Sequence, residues 1–154
     1  DEVLTSFDAM LGEPVKFDTV FIDAPCSGTG TMRRHPEIPW RLTEKDVAVE
    51  LPKLQLTMLK EAAARVAAGG ELIYATCSVF DEENTQVVDA FLSSPEGADF
   101  SLAPLSEAQI LQLPDFAQAK KLVSVRQNDR GLFQSVPVNA DSYDGHFCAR
   151  LVRK

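Results

Sequence analysis

Two short apolar runs, each leading into a loop that carries a cysteine, most constrain the fold of this chain. The first run, FDTVFI at 17–22, precedes Cys26, and the second, ELIYA at 71–75, precedes Cys77. Both runs are rich in β-branched and aromatic residues, the pattern of buried parallel strands. A helical stretch separates them, and a right-handed crossover would place both strands in one sheet with both cysteines at its carboxyl edge. We therefore expect an α/β fold with a ligand site at that edge.

Signals for a helix lie between the two runs. Thr43 and Asp46 resemble a capping box, and apolar residues then recur at helical spacing as far as Gly69 and Gly70, which predict the helix end. Pro52 interrupts this pattern. We expect a kink there, or a fresh start with Pro52 in the first turn, because proline lacks the amide hydrogen that a helix interior needs.

Further helices are predicted on either side of this unit. A short helical pattern within residues 1–14 ends at Gly12. After the second cysteine, Asp81 is expected to cap another helix with Glu82 and Glu83 in its first turn, where acidic side chains suit the positive end of the helix dipole.

The last third of the chain predicts loops and short strands. Residues 93–118 contain three prolines and are expected to form a loop with one short helix. Three strand-like runs follow, at 122–126, 131–136 and 146–152. Such a tail predicts a mostly parallel sheet with an antiparallel strand at one edge.

Charge is unevenly distributed along the chain. The net charge of −8 disfavours a nucleic-acid partner for the molecule as a whole, because phosphate contacts supply much of that affinity. Lys and Arg are absent from 66–119, so that stretch is not expected to face a phosphate backbone. Basic residues instead cluster after the first cysteine, at Arg33, Arg34, Arg41 and Lys45. This cluster is the candidate for contact with an anion, and simple solvation is the alternative.

Composition narrows the class of protein. The chain has no run of about 18 apolar residues and no basic-then-apolar leader, so we expect no membrane span, no export signal and a cytoplasmic location. The three cysteines include no Cys-x-x-Cys pair, which disfavours a disulfide framework and a structural metal site. With 154 residues the chain is expected to form a single core.

Four segments together resemble one known enzyme family. The chain looks like a member of the Nop/Sun family of RNA cytosine-5 methyltransferases in the segments DAPCSGTG at 23–30, RRHPEIPWR at 33–41, ELIYATCSVFDEEN at 71–84 and DGHFCARL at 144–151. They occur in the family's order and extend over nearly the whole chain. The resemblance implies S-adenosylmethionine (SAM) as cofactor and methyl transfer to C5 of a cytosine in rRNA or tRNA.

The resemblance also implies roles for individual residues. Cys77, in the Thr-Cys motif, matches the nucleophile that forms a covalent bond to C6 of the base. Cys26, in the Pro-Cys motif, matches the cysteine that promotes product release. Asp23 matches the aspartate beside the SAM pocket and the target base, and Pro25 is a second expected cofactor-binding position.

Contacts with RNA are expected from the segment that follows the Pro-Cys motif. Arg33, Arg34 and His35 are the candidate RNA-binding residues, and His35 is not expected to act as a base. Trp40 could stack on a nucleotide base, but in a Pro-rich loop we expect it to fill a small satellite core. Cys148, in the last predicted strand, is expected to be an inert core thiol.

Thiols suit the chemistry of this reaction. Cytosine C5 is a poor nucleophile, so its methylation requires prior covalent addition at C6, and a thiolate both adds readily and leaves again. Loss of the C5 proton then allows the thiol to be eliminated, which calls for a second group as base or as aid to release. An acid near N3 would stabilise the charge that develops during addition. Cys77, Cys26 and Asp23 could divide these tasks.

The same resemblance predicts a partial domain. The family's amino-terminal, cofactor-binding half has no counterpart in residues 1–154, so we expect a single partial catalytic domain that is inactive alone. Its fold is expected to be the carboxyl half of a Rossmann-like SAM-dependent methyltransferase. The strand at 17–22 would then expose an apolar edge, which predicts self-association.

Two other functions remain open from the sequence. The chain could be a non-catalytic fragment or partner subunit of such an enzyme, with unused thiols. A cysteine hydrolase is disfavoured, because neither histidine lies in a motif suited to activate Cys26 or Cys77.

Overall fold

The computed structural model describes residues 2–106, 125–137 and 143–154. Its helices are α1 (Glu2–Leu11), α2 (Ile38–Arg41), α3 (Leu51–Ala63) and α4 (Thr85–Leu92). Its strands are β1 (Phe17–Asp23), β2 (Val66–Thr76), β3 (Phe100–Leu102), β4 (Val125–Gln127), β5 (Phe133–Ser135) and β6 (His146–Arg153). Over these ranges, none of the helices combines the length and apolar character needed to cross a membrane.

The strands form one mixed sheet in the order β1-β2-β6-β5-β4, and β3 also pairs with β6. β1 and β2 are parallel neighbours, with Ile22 opposite Tyr74 and Asp23 opposite Ala75. Because α3 lies between them in the chain, the predicted unit of strand, helix and strand is confirmed. Both cysteine-bearing loops therefore leave the sheet at the same edge.

The prediction of a mostly parallel sheet with an antiparallel edge strand was wrong. Within the described ranges only β1 and β2 pair in parallel, and the other four strand pairs are antiparallel. β6 lies inside the sheet, between β2 and β5. The connections from β4 to β5 and from β5 to β6 are shorter than the dozen or so residues that a parallel crossover needs, so these strands pair antiparallel.

The main core lies between the sheet and helices α3 and α4. Alternate residues of β2 are buried, including Leu72 and Tyr74, as expected for a strand with one face on the core. Leu59 of α3 and Phe91 of α4 are fully buried in the same cluster, and Leu151 joins it from β6. This packing fixes the direction in which β1 and β2 deliver their loops.

The start of the central helix agrees with its sequence signals. The Thr43 amide donates to Asp46 Oδ2 at 2.8 Å and the Asp46 amide donates to Thr43 Oγ1 at 3.2 Å, which is a reciprocal cap. A π-helical segment, Asp46–Glu50, then leads into α3, where Pro52 lies in the first turn. The helix does not start afresh at Pro52, because the backbone is helical without a break from residue 44 to Ala63, and the change from π- to α-helical hydrogen bonding just before the proline accommodates it.

The predicted end of that helix at Gly69 and Gly70 was wrong. α3 ends at Ala63, and both glycines lie within β2. The β1–β2 register shifts there, and a Cβ on Gly70 would lie 2.9 Å from the carbonyl oxygen of Asp18. Gly69 has φ of +74°, so the pair forms a bulge in the strand instead of a helix terminus.

The region after Cys77 also differs from its prediction. Asp81–Glu83 forms a single 3₁₀ turn, and α4 begins only at Thr85. Glu83 is completely buried, so it is not an exposed acid at a helix terminus. Strand β3 was not predicted from the sequence, because three residues are too few to show the alternating pattern of a strand.

The tail agrees with its predicted strands where it is described. β5 lies within the predicted run at 131–136, and β6 covers the run at 146–152 and one residue more. β4 overlaps the end of the run at 122–126. Of the segment 93–118, expected to be a loop with one short helix, residues 107–118 lie outside the described residues, and the described part contains a 3₁₀ turn at Pro95–Gly97 and strand β3.

Candidate active site

Two thiols meet at the carboxyl ends of the parallel strands. Cys26 Sγ lies 3.1 Å from Cys77 Sγ, and the Cys77 amide donates a hydrogen bond to Cys26 Sγ at 3.3 Å. The loops are tied together beside them, because the Ala24 amide donates to the Ala75 carbonyl at 2.9 Å. The distance agrees with the expectation that both cysteines emerge at one edge of the sheet.

The environment of the pair favours the protonated form of Cys26. Burial, reinforced by the neighbouring Cys77 sulfur, raises the pKa of Cys26 to about 12. Cys26 therefore keeps its proton at neutral pH and can donate it in the hydrogen bond to Cys77 Sγ. Both cysteines are partly buried, and Cys77 Sγ is the acceptor when Cys26 is the donor.

Asp23 and Pro25 lie at the start of the first thiol loop. Both residues are exposed, and Asp23 is the last residue of β1. Asp23 borders an open cleft of about 760 Å³ along β1 that is lined mainly by apolar side chains, among them Phe17, Val20 and Phe21. This volume is in the range of clefts that hold small-molecule ligands.

A glycine allows the first thiol loop to reach both β2 and β6. The Gly30 amide donates to the Cys77 carbonyl at 2.9 Å, and the Gly145 amide donates to the Gly30 carbonyl at 2.8 Å. A Cβ on Gly30 would lie 2.1 Å from the Gly145 carbonyl oxygen, so a larger residue does not fit. Three of the four motif segments therefore meet at Gly30.

A buried carboxylate beneath the thiols was not identified from the sequence. Glu83 Oε2 accepts hydrogen bonds from the Ser27 amide at 2.8 Å and from Gln55 Nε2 at 3.0 Å. Glu83 Oε1 accepts from Ser78 Oγ at 2.7 Å. Ser27 and Ser78 follow directly after Cys26 and Cys77, so one side chain contacts both thiol loops. The sequence around Glu83 does not predict these contacts, since acidic residues are common near helix starts.

The candidate RNA-binding arginines share one acidic partner. Arg33 Nη2 lies 3.2 Å from Asp144 Oδ1, and Arg34 Nη2 lies 2.6 Å from Asp144 Oδ2. Burial opposes ionisation of Asp144, but the two guanidinium groups outweigh it and lower the pKa of that carboxyl. His35 Nδ1 lies 3.4 Å from Glu37 Oε1 and is half exposed. The segment thus presents ordered cations beside the thiol loops.

Two other residues are placed as follows. Trp40 is 89% exposed, so the expectation that it fills a satellite core was wrong. In the same helix, α2, Ile38 is the buried residue. Cys148 is partly buried in β6, and burial raises the pKa of its thiol, as expected for an unreactive core cysteine. Across the parts of the chain that the structure describes, no group of three His, Cys, Asp or Glu side chains could hold a metal ion.

Comparison with known proteins gives consistent matches over most of the chain. A family model described as 16S rRNA methyltransferase RsmB/F matches residues 3–152. The ribosomal RNA small subunit methyltransferase B of Salmonella arizonae is 39% identical over 140 residues, which are 90% of this chain and 27% of that protein. The chain therefore spans about a quarter of the length of this relative.

Solved structures share the fold. The crystal structure of PH0851 aligns with a TM-score of 0.67 at 33% identity, over 87% of this chain and 26% of that chain. The structure of NSun6 from Pyrococcus horikoshii with SFG aligns with a TM-score of 0.66 at 20% identity, over 90% of this chain and 30% of that chain. The α/β fold class is therefore confirmed, with a mixed instead of a mostly parallel sheet.

Proposed function

Because the chain belongs to the 16S rRNA methyltransferase RsmB/F family, we propose that its two thiols serve SAM-dependent methylation of C5 of a cytosine in rRNA or tRNA. The observation that carries this proposal is the 3.1 Å separation of Cys26 Sγ and Cys77 Sγ at the carboxyl ends of two parallel strands. An enzyme that uses one cysteine only as a nucleophile needs no second thiol beside it. Addition to a base followed by elimination, by contrast, uses one group to attack and a second group to assist release.

Cys77 is the proposed nucleophile. Its thiolate forms a bond to C6, which makes C5 electron-rich. C5 would then accept the methyl group that bound SAM supplies, with the methyl–sulfur bond breaking to leave S-adenosylhomocysteine. Loss of the C5 proton to a base or to water restores the C5–C6 double bond and expels Cys77 as thiolate. Cys26, protonated and within hydrogen-bonding distance, stabilises the departing sulfur. This division is the one that the family resemblance implies, and the raised pKa of Cys26 supports it.

The cofactor fits the site in part. SAM, when bound, supplies an electrophilic methyl group. We propose that Asp23 and Pro25 border its site, because both are exposed at the end of β1 beside the open cleft along that strand. The remaining contacts are proposed to come from the part of the relatives' length that this chain does not span. The chain then supplies the thiols, and turnover requires both parts.

The RNA-facing surface is proposed to include Arg33, Arg34 and His35 together with Trp40. The two guanidinium groups are 46% and 59% exposed while Asp144 orders them, so they can meet phosphate with little further loss of side-chain entropy. Trp40 offers an exposed aromatic ring in the same segment, and such rings bind unpaired bases by stacking. A single-stranded cytosine region is the substrate that this surface favours.

Trapping with RNA that contains 5-fluorocytosine tests the proposed reaction. Fluorine at C5 cannot leave as a proton does, so a methylated adduct remains bound to the enzyme. The experiment uses SAM and the chain extended at its amino terminus by about a hundred residues, which completes a domain of typical size. We expect a denaturant-resistant complex that Cys77→Ala abolishes. If no complex forms although RNA and SAM both bind, the thiols are unused and the chain is a non-catalytic part of such an enzyme.

A further inference from the structure

We propose that Glu83 is a positioning residue that sets the separation of the two reactive thiols, an inference that rests on the proposed function. Glu83 does not touch either sulfur in the described contacts. It lies beneath both loops and is completely buried. Its carboxylate acts through Ser27 and Ser78, the residues that follow Cys26 and Cys77.

The two carboxylate oxygens divide between the loops. Oε2 accepts the backbone amide of Ser27 at 2.8 Å, and Oε1 accepts the hydroxyl of Ser78 at 2.7 Å. Ser27 Oγ also donates to Ser78 Oγ at 3.1 Å, which joins the loops a second time. Hydrogen bonds to a carboxylate are shorter and stronger than those between neutral groups. Movement of either loop would therefore break a strong contact with Glu83.

Neighbouring groups hold Glu83 itself in place. Gln55 Nε2 donates to Glu83 Oε2 and to the Pro25 carbonyl, each at 3.0 Å, so its amide can point only one way. The Tyr74 hydroxyl donates to the Glu83 carbonyl at 2.6 Å. Gln55 is fully buried and its Oε1 has no hydrogen-bond partner among the described residues. Glu83 is thus held through its carboxylate from α3 and through its backbone from β2.

The free-energy cost of burying this polar network indicates that it serves to position the thiol loops and not to stabilise the fold. Burial of a carboxylate and of an unpaired amide oxygen costs free energy that apolar residues of similar volume would not. Catalytic groups, however, lose about a hundredfold in rate when displaced by about 1 Å. A polar network that joins the loops beside two reacting thiols is where such precision matters.

The effective concentration of one thiol toward the other measures this positioning directly. In a Cys148→Ser background, the 154-residue chain is equilibrated with oxidised and reduced glutathione. Cys26 and Cys77 lose two electrons and two protons to form one disulfide, and each oxidised glutathione yields two reduced molecules. Glu83→Gln and Glu83→Ala are compared with the parent, and circular dichroism gives the folded fraction. Glu71→Gln is the matched control, because Glu71 lies in β2, the strand that leads to Cys77, but pairs with Arg150.

We expect Glu83→Ala to lower the effective concentration at least about tenfold in the folded chain. Glu83→Gln is expected to recover part of the loss, because one amide oxygen can still accept from Ser27 and Gln55. Glu71→Gln is expected to leave the value unchanged. If Glu83→Ala does not fold, Ser78→Ala, which removes the donor to Oε1, is judged by the same tenfold criterion.

A folded Glu83→Ala chain whose thiols couple as strongly as those of the parent would overturn the proposal. An equal loss in Glu71→Gln would overturn it too, since the effect would then follow general loosening of β2. The measurement uses neither RNA nor SAM, so its failure leaves the proposed reaction intact. Conversely, absence of a trapped RNA complex with normal thiol coupling would contradict the proposed function and not the role of Glu83 in positioning.

Discussion

Two sulfur atoms 3.1 Å apart cannot both ionise without strong repulsion, so the pair holds one proton more tightly than isolated thiols would. Burial and the neighbouring Cys77 sulfur raise the pKa of Cys26 to about 12, so we expect Cys26 to keep its proton. This expectation is consistent with the proposed function, in which Cys77 is the nucleophile and Cys26 the hydrogen-bond donor.

Alkylation by iodoacetamide tests the state of Cys26. Because only the thiolate reacts, a pKa of about 12 predicts that Cys26 in the folded chain reacts at least about a hundredfold more slowly at pH 8 than in the urea-unfolded chain. The sign follows from the raised pKa, which lowers the thiolate fraction, so the rate is expected to keep rising beyond pH 9. Peptide mass spectrometry reads the label. Equal rates in the folded and unfolded chains would refute this expectation.

Trp40 provides a test of the RNA-facing surface. It is the chain's one tryptophan and is 89% exposed, so its fluorescence reports on this surface alone. We expect single-stranded cytosine-containing RNA to quench its emission and a duplex of the same length not to do so. Trp40→Ala is expected to weaken binding of the single strand by about 1–3 kcal/mol, measured by anisotropy. Phe21→Ala, at an exposed aromatic on β1, is the control, and unchanged emission at saturating RNA would exclude stacking.

Sequence patterns identified the thiols but not the residues that arrange them. Cys26 and Cys77 were recognisable because each follows an apolar run. Glu83 was assigned to a helix start, since nothing in its local sequence separates a buried acid from an exposed one. Asp144, the partner of Arg33 and Arg34, lies over a hundred residues away in sequence, so only the folded chain reveals the contact.

A close backbone contact between Gly30 and Gly145, just before β6, determines the path of the loop after β1. Gly30 has no room for a Cβ, because the Gly145 backbone lies against it. The same loop bonds to the Cys77 carbonyl, so displacement of one segment would move another. Strand pairing and the thiol geometry are therefore coupled at this element.

Gly30→Ala is expected to destabilise the chain by about 1–3 kcal/mol, because backbone atoms instead of a flexible side chain would have to move. Gly12→Ala is the control, since Gly12 has open space but φ of +76°, so it reports the cost of backbone conformation alone. Urea unfolding measures both. A Gly30→Ala chain as stable as the parent would show that the contact with Gly145 is not tight.

At the level of elements, prediction succeeded where signals are local. The cap at Thr43 and Asp46 was recognisable because its hydrogen bonds lie within a few residues. The order of the strands could not be predicted, since the position of β6 between β2 and β5 depends on contacts between residues distant in sequence. Gly69 and Gly70 were misassigned because glycine pairs occur at helix ends and at strand bulges alike.

For the molecule as a whole, β1 is the exposed end of the sheet. Its outer edge has no strand partner within the described residues, and Phe17 and Phe21 are 40% and 62% exposed. Apolar edge strands of this kind favour pairing with another chain. The cleft along the same strand, which Asp23 borders, places this edge beside the proposed cofactor site.

Sedimentation at micromolar concentration tests that edge. We expect self-association of the 154-residue chain and its reduction in Phe21→Glu, because a charge on β1 opposes edge pairing. Met10→Glu replaces an exposed apolar side chain of α1 and is expected to leave association unchanged. A parent chain that sediments as a monomer would contradict the prediction.

The central claim, that Cys77 adds to the base while Cys26 retains its proton, is tested most directly by RNA that contains 5-azacytosine. A ring nitrogen at position 5 makes C6 electrophilic enough for addition without a methyl donor, so the 154-residue chain itself can be used. Mass spectrometry then locates the adduct. The account predicts an adduct on Cys77 that Cys77→Ser abolishes and Cys26→Ser retains. An adduct on Cys26, or its loss only in Cys26→Ser, would contradict the account.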